Sequence, residues 1–208
     1  MRGRLITIEG LDGVGKTTLG EALAAALRER GAAVELLREP GGVELAERLR
    51  AVVKDPALAV DPRAEALLYA AARAQLCAER VVPLLGEGTW VLLDRFVDSS
   101  LAYQGAGRDL GVEAVRAIND FGTGGLRPER TLLLRADSAT RAARQAGRGE
   151  APDRLEREDG AFFAAAASAY DALAAAEPDR IRVIDASAAP DAVLAASLRE
   201  LDDLLARA

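Results

Sequence analysis

Five short apolar runs, set at helix-length intervals, constrain the fold of this chain more than any other feature: Leu5–Ile8, Val34–Leu37, Val91–Leu93, Thr131–Leu134 and Ile181–Ile184. Each is rich in leucine or β-branched residues and almost unbroken by polar ones, the pattern of a strand covered on both faces. Strands of this kind pair in parallel, with helices on both sides of the sheet. The intervening stretches supply those helices, and their composition predicts them over 17–30, 43–53, 63–85, 111–121, 138–145, 156–176 and 190–206, with Gly31 and Gly86 as helix ends. The expected class is therefore α/β, a five-stranded parallel sheet flanked by helices. At 208 residues, half of them apolar, the chain is long enough for one substantial core and short enough for a single domain.

The first run leads directly into Gly10–Thr17, GLDGVGKT, and then into the helical pattern TTLGEALAAALRER. G-x-x-x-x-G-K-[ST] between a strand and a helix is a phosphate-binding P-loop. Gly10, Gly13 and Gly15 let the backbone wrap closely, so that Leu11, Asp12, Val14, Lys16, Thr17 and Thr18 belong to one cradle for the phosphates of ATP. Lys16 would reach the β- and γ-phosphates, and Thr17 offers a hydroxyl to the Mg²⁺ that accompanies ATP. Arginine outnumbers lysine 25 to 2, which makes a lysine at the one position needing a compact ammonium harder to ascribe to chance. Kinases, GTPase switches, motors and passive binders all carry such loops. A GTPase would want an N-K-x-D motif, but the sole asparagine is Asn119, in IND.

Composition removes further classes. There is no histidine, and Cys77 is the only cysteine, so histidine metal sites, Ser-His triads and intrachain disulfides are excluded together. Catalysis must draw on backbone, carboxylates, Lys16 or arginine. A net charge of −6 disfavours a nucleic-acid or anionic-membrane partner. No segment is apolar for long enough to span a bilayer, and a cytoplasmic location is expected.

The third run, TWVLLDRF, ends in Asp94 and Arg95, at the carboxyl edge where open α/β sheets bind ligands. Asp94 is suited to hold Mg²⁺ through water, and Arg95 to clamp a second phosphate with its planar fork. A surface ion pair is the plainer alternative. REPGG (38–42) and DSSLAYQG (98–105) start at the same edge and add Arg38. Two phosphate sites at one edge are what transfer between nucleotides requires.

Taken in order, E-G-L-D-G-V-G-K-T-T, R-E-P-G-G, Y-A-A-A-R-A-Q, D-R-F-V-D-S-S-L-A-Y-Q-G and D-R-L-E resemble the bacterial thymidylate kinases over nearly the whole chain. The resemblance implies that Tyr69 stacks on thymine, that Arg73 hydrogen-bonds the carbonyl edge of the base, and that Ser100, beside Ser99, approaches the base nitrogen. It places Asp12 near the acceptor 3′-hydroxyl and the phosphates, and Arg38 and Arg95 at the acceptor phosphate. Tyr103 and Gln104 would surround sugar and base, with Tyr103 crowding C2′ in favour of deoxyribose. Tyr69 stands where that family often has phenylalanine; the stacking face survives, and the hydroxyl needs a partner. Without the resemblance, Tyr69 and Arg73 read equally well as a core aromatic beside a helix-surface arginine.

Val14 gives the loop no second cation, so other positive charge must reach the phosphates. RAARQAGRGEAPDR, carrying Arg141, Arg144, Arg148 and Arg154, resembles the basic lid of the same family, a segment of about 141–156. Arg148, then Arg144 and Arg154, are expected to close onto ATP, with Arg148 joining Lys16, Arg95 and Asp12 in catalysis. Glu156 would contact the sugar, anchor the lid or simply begin a helix. The family further implies the reaction ATP + dTMP → ADP + dTDP and a homodimer. Competing readings are another P-loop nucleotide or deoxynucleoside kinase and a non-catalytic nucleotide-binding module.

Overall fold

A computed structural model describes residues 2–147, 149 and 152–205. The strands are β1 (Leu5–Glu9), β2 (Val34–Arg38), β3 (Trp90–Asp94), β4 (Arg130–Arg135) and β5 (Ile181–Asp185), each overlapping one of the five apolar runs. They form one parallel sheet in the order β2-β3-β1-β4-β5. Side chains alternate between two helical layers. Ile6, Ile8, Leu92 and Leu132 join one core cluster, and Leu5, Val91 and Leu93 join the other. The chain leaves β1 for β2 on one side and later crosses to β4 on the other, so the crevice at the carboxyl end of β1 lies where the winding reverses. Register brings Arg38 level with Asp94, and Asp94 level with Ile8, at that same edge.

The principal helices are α1 (Lys16–Glu29), α2 (Glu44–Lys54), α3 (Pro62–Leu76), α4 (Val82–Gly86), α5 (Val97–Ser100), α6 (Val112–Thr123), α7 (Ser138–Ala146), α8 (Gly160–Ala176), α9 (Pro190–Arg199) and α10 (Asp202–Leu205). Where sequence predicts one helix over 63–85, α3 passes through a π-helical turn at Cys77–Val81 into α4. Pro83 has no N–H for the carbonyl of Glu79, and the ladder widens so that Val82 N–H reaches Cys77 O instead. The helix expected from Glu156 starts at Gly160 because the Asp159 side chain accepts from Phe162 N at 2.9 Å and caps it there. The stretch expected as 190–206 divides into α9 and α10, and residue 206 lies outside the described residues. Helical structure over 97–107, made of α5 and a π-helical turn at Leu101–Gly107, is not foreseen from its polar, turn-like sequence.

Candidate active site

β1 ends at Glu9, and the following glycines fold the chain back over the sheet edge before α1 begins. Gly10 and Gly13 have φ of 133° and 83°, and a Cβ on them would lie 2.5 Å from Leu134 O and 2.6 Å from Arg141 O. The loop is thus pressed between the end of β4 and α7 too closely for any side chain. Lys16, 7% exposed, donates from Nζ to Gly10 O and Leu11 O at 3.0 Å each, so its ammonium sits in the hollow of its own loop. Burial, and next the neighbouring Arg95, push its pKa down to about 8. A phosphate arriving there would meet this ammonium, whose ion-pair partner Asp12 Oδ1 lies 3.9 Å away.

Arg95 follows β3 in the left-handed region, with φ 73°, at a backbone cost of about 1 kcal/mol or more. Its N–H donates to Ile8 O at 3.0 Å, and its guanidinium donates to Asp12 Oδ1 at 2.5 Å, Ser99 Oγ at 3.1 Å and Gly10 O at 3.2 Å. It also lies over the Tyr103 ring, 5.1 Å from the centroid. Burial alone would raise the Asp12 carboxyl, yet Arg95 and then Lys16 hold it well below the usual carboxylate range. Tyr103 donates to the other Asp12 oxygen at 3.3 Å. The glycine loop and Arg95 are therefore one electrostatic unit, and Arg95 is not part of a mere surface ion pair.

Thr17 donates its hydroxyl proton to Asp94 Oδ2 at 2.9 Å beside this loop. A hydroxyl and a carboxylate are hard oxygen donors that suit Mg²⁺. Among the described residues no cluster of three or more His, Cys, Asp or Glu side chains could hold a metal.

One stripe of α3 carries Glu65, Tyr69 and Arg73, at i, i+4 and i+8. Arg73 is 2% exposed, so it is no surface arginine. It donates to Glu39 Oε2 at 2.7 Å, Ser100 Oγ at 2.9 Å, Phe96 O at 2.9 Å and the Asn119 side-chain oxygen. Burial raises Glu39 to about 7 against the pull of Arg73, and its Oε1 has no hydrogen-bond partner among the described residues. Gln104 donates to the fully buried Glu65 at 2.9 Å. Tyr69, Arg73, Ser99, Ser100, Tyr103 and Gln104 line the same cleft of about 610 Å³ as the loop residues from Asp12 to Thr18, with Arg38 at its rim, bonded to Glu47 at 3.0 Å.

These features converge with comparison to known proteins. The thymidylate kinase family model matches residues 8–196. The chain is 48% identical to a thymidylate kinase of Rhizorhabdus wittichii, over 99% of this chain and all of that protein. It is 49% identical to one of Deinococcus radiodurans, over 91% of this chain and 92% of the other. The crystal structure of thymidylate kinase from Ehrlichia chaffeensis superposes with a TM-score of 0.79 at 27% identity, covering 97% of this chain and 99% of that one.

The chain belongs to the thymidylate kinase family.

In this member of the thymidylate kinase family the arginines expected to form a lid are not all gathered at the loop. Arg144 is, donating to Val14 O and Ala186 O at 3.0 Å each. Arg154 is held elsewhere: it donates to Val53 O at 2.9 Å and lies 2.7 Å from Glu65 Oε2. Lys54 pairs with Asp153 at 2.8 Å, so the turn before α8 is fastened to the end of α2 and walls the cleft with Asp153, Leu155 and Glu156. Arg148, expected to lead the lid, lies outside the described residues.

Several cleft residues escaped the sequence reading. Arg50 enters from α2 and donates to Pro40 O at 2.9 Å. Burial and then the charge of Arg38 lower its pKa against the pull of Glu47. The motif REPGG contains Glu39, and the isolation of Asn119 as the sole asparagine was a signal, but neither points to Arg73 without the fold. Ala186, Ala188, Pro190 and Leu194 form the apolar end of the cleft next to Arg144, after β5 at the carboxyl edge, and no motif marks them in the sequence.

Proposed function

We propose that this chain transfers the terminal phosphoryl group of ATP to dTMP, giving ADP and dTDP, the precursor of dTTP. The observation that carries the reading is that the phosphate loop with Lys16, the clamp Arg95 and the stripe Tyr69–Arg73 line one continuous cleft. ATP phosphates would occupy the loop, with the adenine toward Arg144 and the apolar turn after β5. The dTMP base would lie against Tyr69, with Arg73, Ser100 and Gln104 around it and its phosphate facing Arg95, Arg38 and Arg50.

Arg95 uses its Nη1 protons and one Nη2 proton on Gly10, Ser99 and Asp12, leaving Nε and the other Nη2 proton without a protein acceptor among the described residues. Those two N–H groups would hold the acceptor phosphate while one of its oxygens attacks the γ-phosphorus and the bond to the β-phosphate oxygen breaks. The acceptor phosphate is already a nucleophile, so no general base is assigned. Asp12, kept ionised, would receive the 3′-hydroxyl and fix Arg95, and Tyr103 would press against C2′. Mg²⁺, held by Thr17 and through water by Asp94, would neutralise charge on the transferring oxygens. Lys16 and the lid segment, 141–156 with Arg144 and Arg148, would add positive charge and exclude water, joined by Arg154 once it leaves Val53 and Glu65.

We also propose a cytoplasmic homodimer acting on these small molecules without nucleic acid or membrane. Among the described residues no helix is long and apolar enough to cross a membrane. Phe121 is 92% exposed on α6 and Leu67 56% exposed on α3, two helices in close contact, since a Cβ on Gly122 would lie 3.4 Å from Ala74 Cβ. That apolar face suits a second copy.

The test is coupled ADP release with ATP and each of dTMP, dUMP, dCMP, dAMP, dGMP and thymidine. dTMP should be the best acceptor. Preference for another monophosphate or for thymidine would reassign the acceptor, and ATP binding without any diphosphate product would replace the kinase by a binding module.

A further inference from the structure

Glu9, the last residue of β1, is fully buried directly behind the phosphate loop, and the proposed chemistry gives it no task. Its Oε1 accepts from Phe96 N at 2.7 Å and from Ser99 N at 3.3 Å. Its Oε2 accepts from Ser99 Oγ at 2.6 Å and from Tyr170 Oη at 2.8 Å. These partners surround Arg95. Phe96 is the next residue, and Ser99 Oγ accepts from Arg95 Nη1 at 3.1 Å. The left-handed backbone at Arg95 is pinned on one side by its own N–H on Ile8 O and on the other by the grip of Glu9 on Phe96 N.

We propose that Glu9, with Ser99 and Tyr170, is the positioning assembly for Arg95, setting both its backbone conformation and the direction of its guanidinium. This rests on the reading of Arg95 as the acceptor-phosphate clamp. The argument is a proton count. Glu9 Oε2, Ser99 Oγ and Tyr170 Oη lie within 3.0 Å of one another. While the Glu9 oxygen only accepts, both hydroxyls donate to it, and Ser99 must turn a lone pair toward Arg95. An amide at residue 9 could still accept from Phe96 N and Ser99 N through its oxygen. Its NH₂ would then donate where it should accept, and the Ser99 proton, displaced from residue 9, would be left between Tyr170 Oη and the side facing Arg95. Packing is preserved, but the charge that turns a Ser99 lone pair toward Arg95 is lost.

Burial, and next the charge of Asp98, raise the Glu9 carboxyl above the ordinary range, so the test is repeated at rising pH to reach the state in which the carboxyl only accepts. It measures Kd for dTMP and for a non-hydrolysable ATP analogue by titration calorimetry in the wild type, Glu9→Gln, Tyr170→Phe, Arg95→Ala and the two double variants, with kcat alongside. Glu9→Gln should weaken dTMP binding about tenfold while the ATP-analogue Kd moves less than about twofold, and Tyr170→Phe should weaken dTMP about threefold. In the Arg95→Ala background neither substitution should weaken dTMP further, which a merely structural role would not produce. The proposal is overturned if Glu9→Gln leaves dTMP affinity intact while Arg95→Ala abolishes it, or if the losses multiply in the double variants. Wild-type affinity and turnover in Arg95→Ala would overturn the site reading and this proposal together. If Glu9→Gln does not fold, the Tyr170→Phe cycle decides by the same criteria.

Discussion

Replacing Arg73 by methionine separates what this residue does for the fold from what it does for the acceptor. The side chains of Arg73 and Glu39 are 2% and 3% exposed, so solvent offers the surviving partner no relief. Even with Arg73 present, Glu39 stands at about 7 instead of 4.5, a burial cost worth roughly 3 kcal/mol once the carboxyl is ionised. Its folded pKa lies above the unfolded one, so the associated stability is present below about 4.5 and is lost as pH rises through about 7. In Arg73→Met the folded value moves higher still, and the loss continues to higher pH. The variant should be less stable than wild type by about 3–5 kcal/mol at pH 8, the cost of stranding a buried charge, and by only about 1–2 kcal/mol at pH 5, where the carboxyl is neutral and only hydrogen bonds are missing. Urea unfolding followed by circular dichroism across that range measures the difference. Adding Glu39→Gln should restore most of the stability at pH 8 without restoring dTMP binding. A stability difference that is the same at every pH, or below about 1 kcal/mol at pH 8, would refute the reasoning.

Lys16→Met should lower kcat about 10²–10³-fold in the coupled ADP-release assay, and in the wild type kcat/KM for ATP should fall above about pH 8, where the free enzyme loses the Lys16 proton; a profile flat through that range would count against the assignment. Burial pushes the Cys77 thiol up to about 12, so Ellman's reagent at pH 8 should leave the native protein unlabelled and label one thiol per chain in denaturant. Glu65→Gln should release the turn that Arg154 fastens, seen as amide exchange at Arg154 and Leu155 faster by about tenfold or more, with unchanged exchange in β1. Phe121→Asp should shift the chain from dimer to monomer in sedimentation velocity, and a monomeric wild type would reject the homodimer.

The sheet was legible because its strands are nearly pure apolar runs, and burial on both faces leaves such runs few alternatives. The phosphate loop was legible because its chemistry needs glycine and lysine at fixed spacing. The helical stretch 97–107 was not, since part of its support is tertiary: the Glu9 carboxylate, 87 residues away from Phe96 in sequence, accepts from Phe96 N and Ser99 N where the chain turns. Arg73 could be picked out by its place in a motif, but its environment could not, because Glu39, Ser100, Phe96 and Asn119 meet it only after four elements pack. Arg154 shows the same limit. A guanidinium near a glycine-rich loop reads as a phosphate ligand, and the sequence does not show that in this fold it rests on the Val53 carbonyl at the end of α2 and beside the carboxylate of Glu65.

The most direct test of the central claim is a crystal structure with dTMP and a non-hydrolysable ATP analogue bound together. The account predicts the dTMP phosphate within about 3 Å of the Arg95 guanidinium, facing a γ-phosphate cradled by Lys16 and the Gly10–Thr18 amides. A dTMP phosphate lodged away from Arg95, or a triphosphate outside the loop, would contradict it.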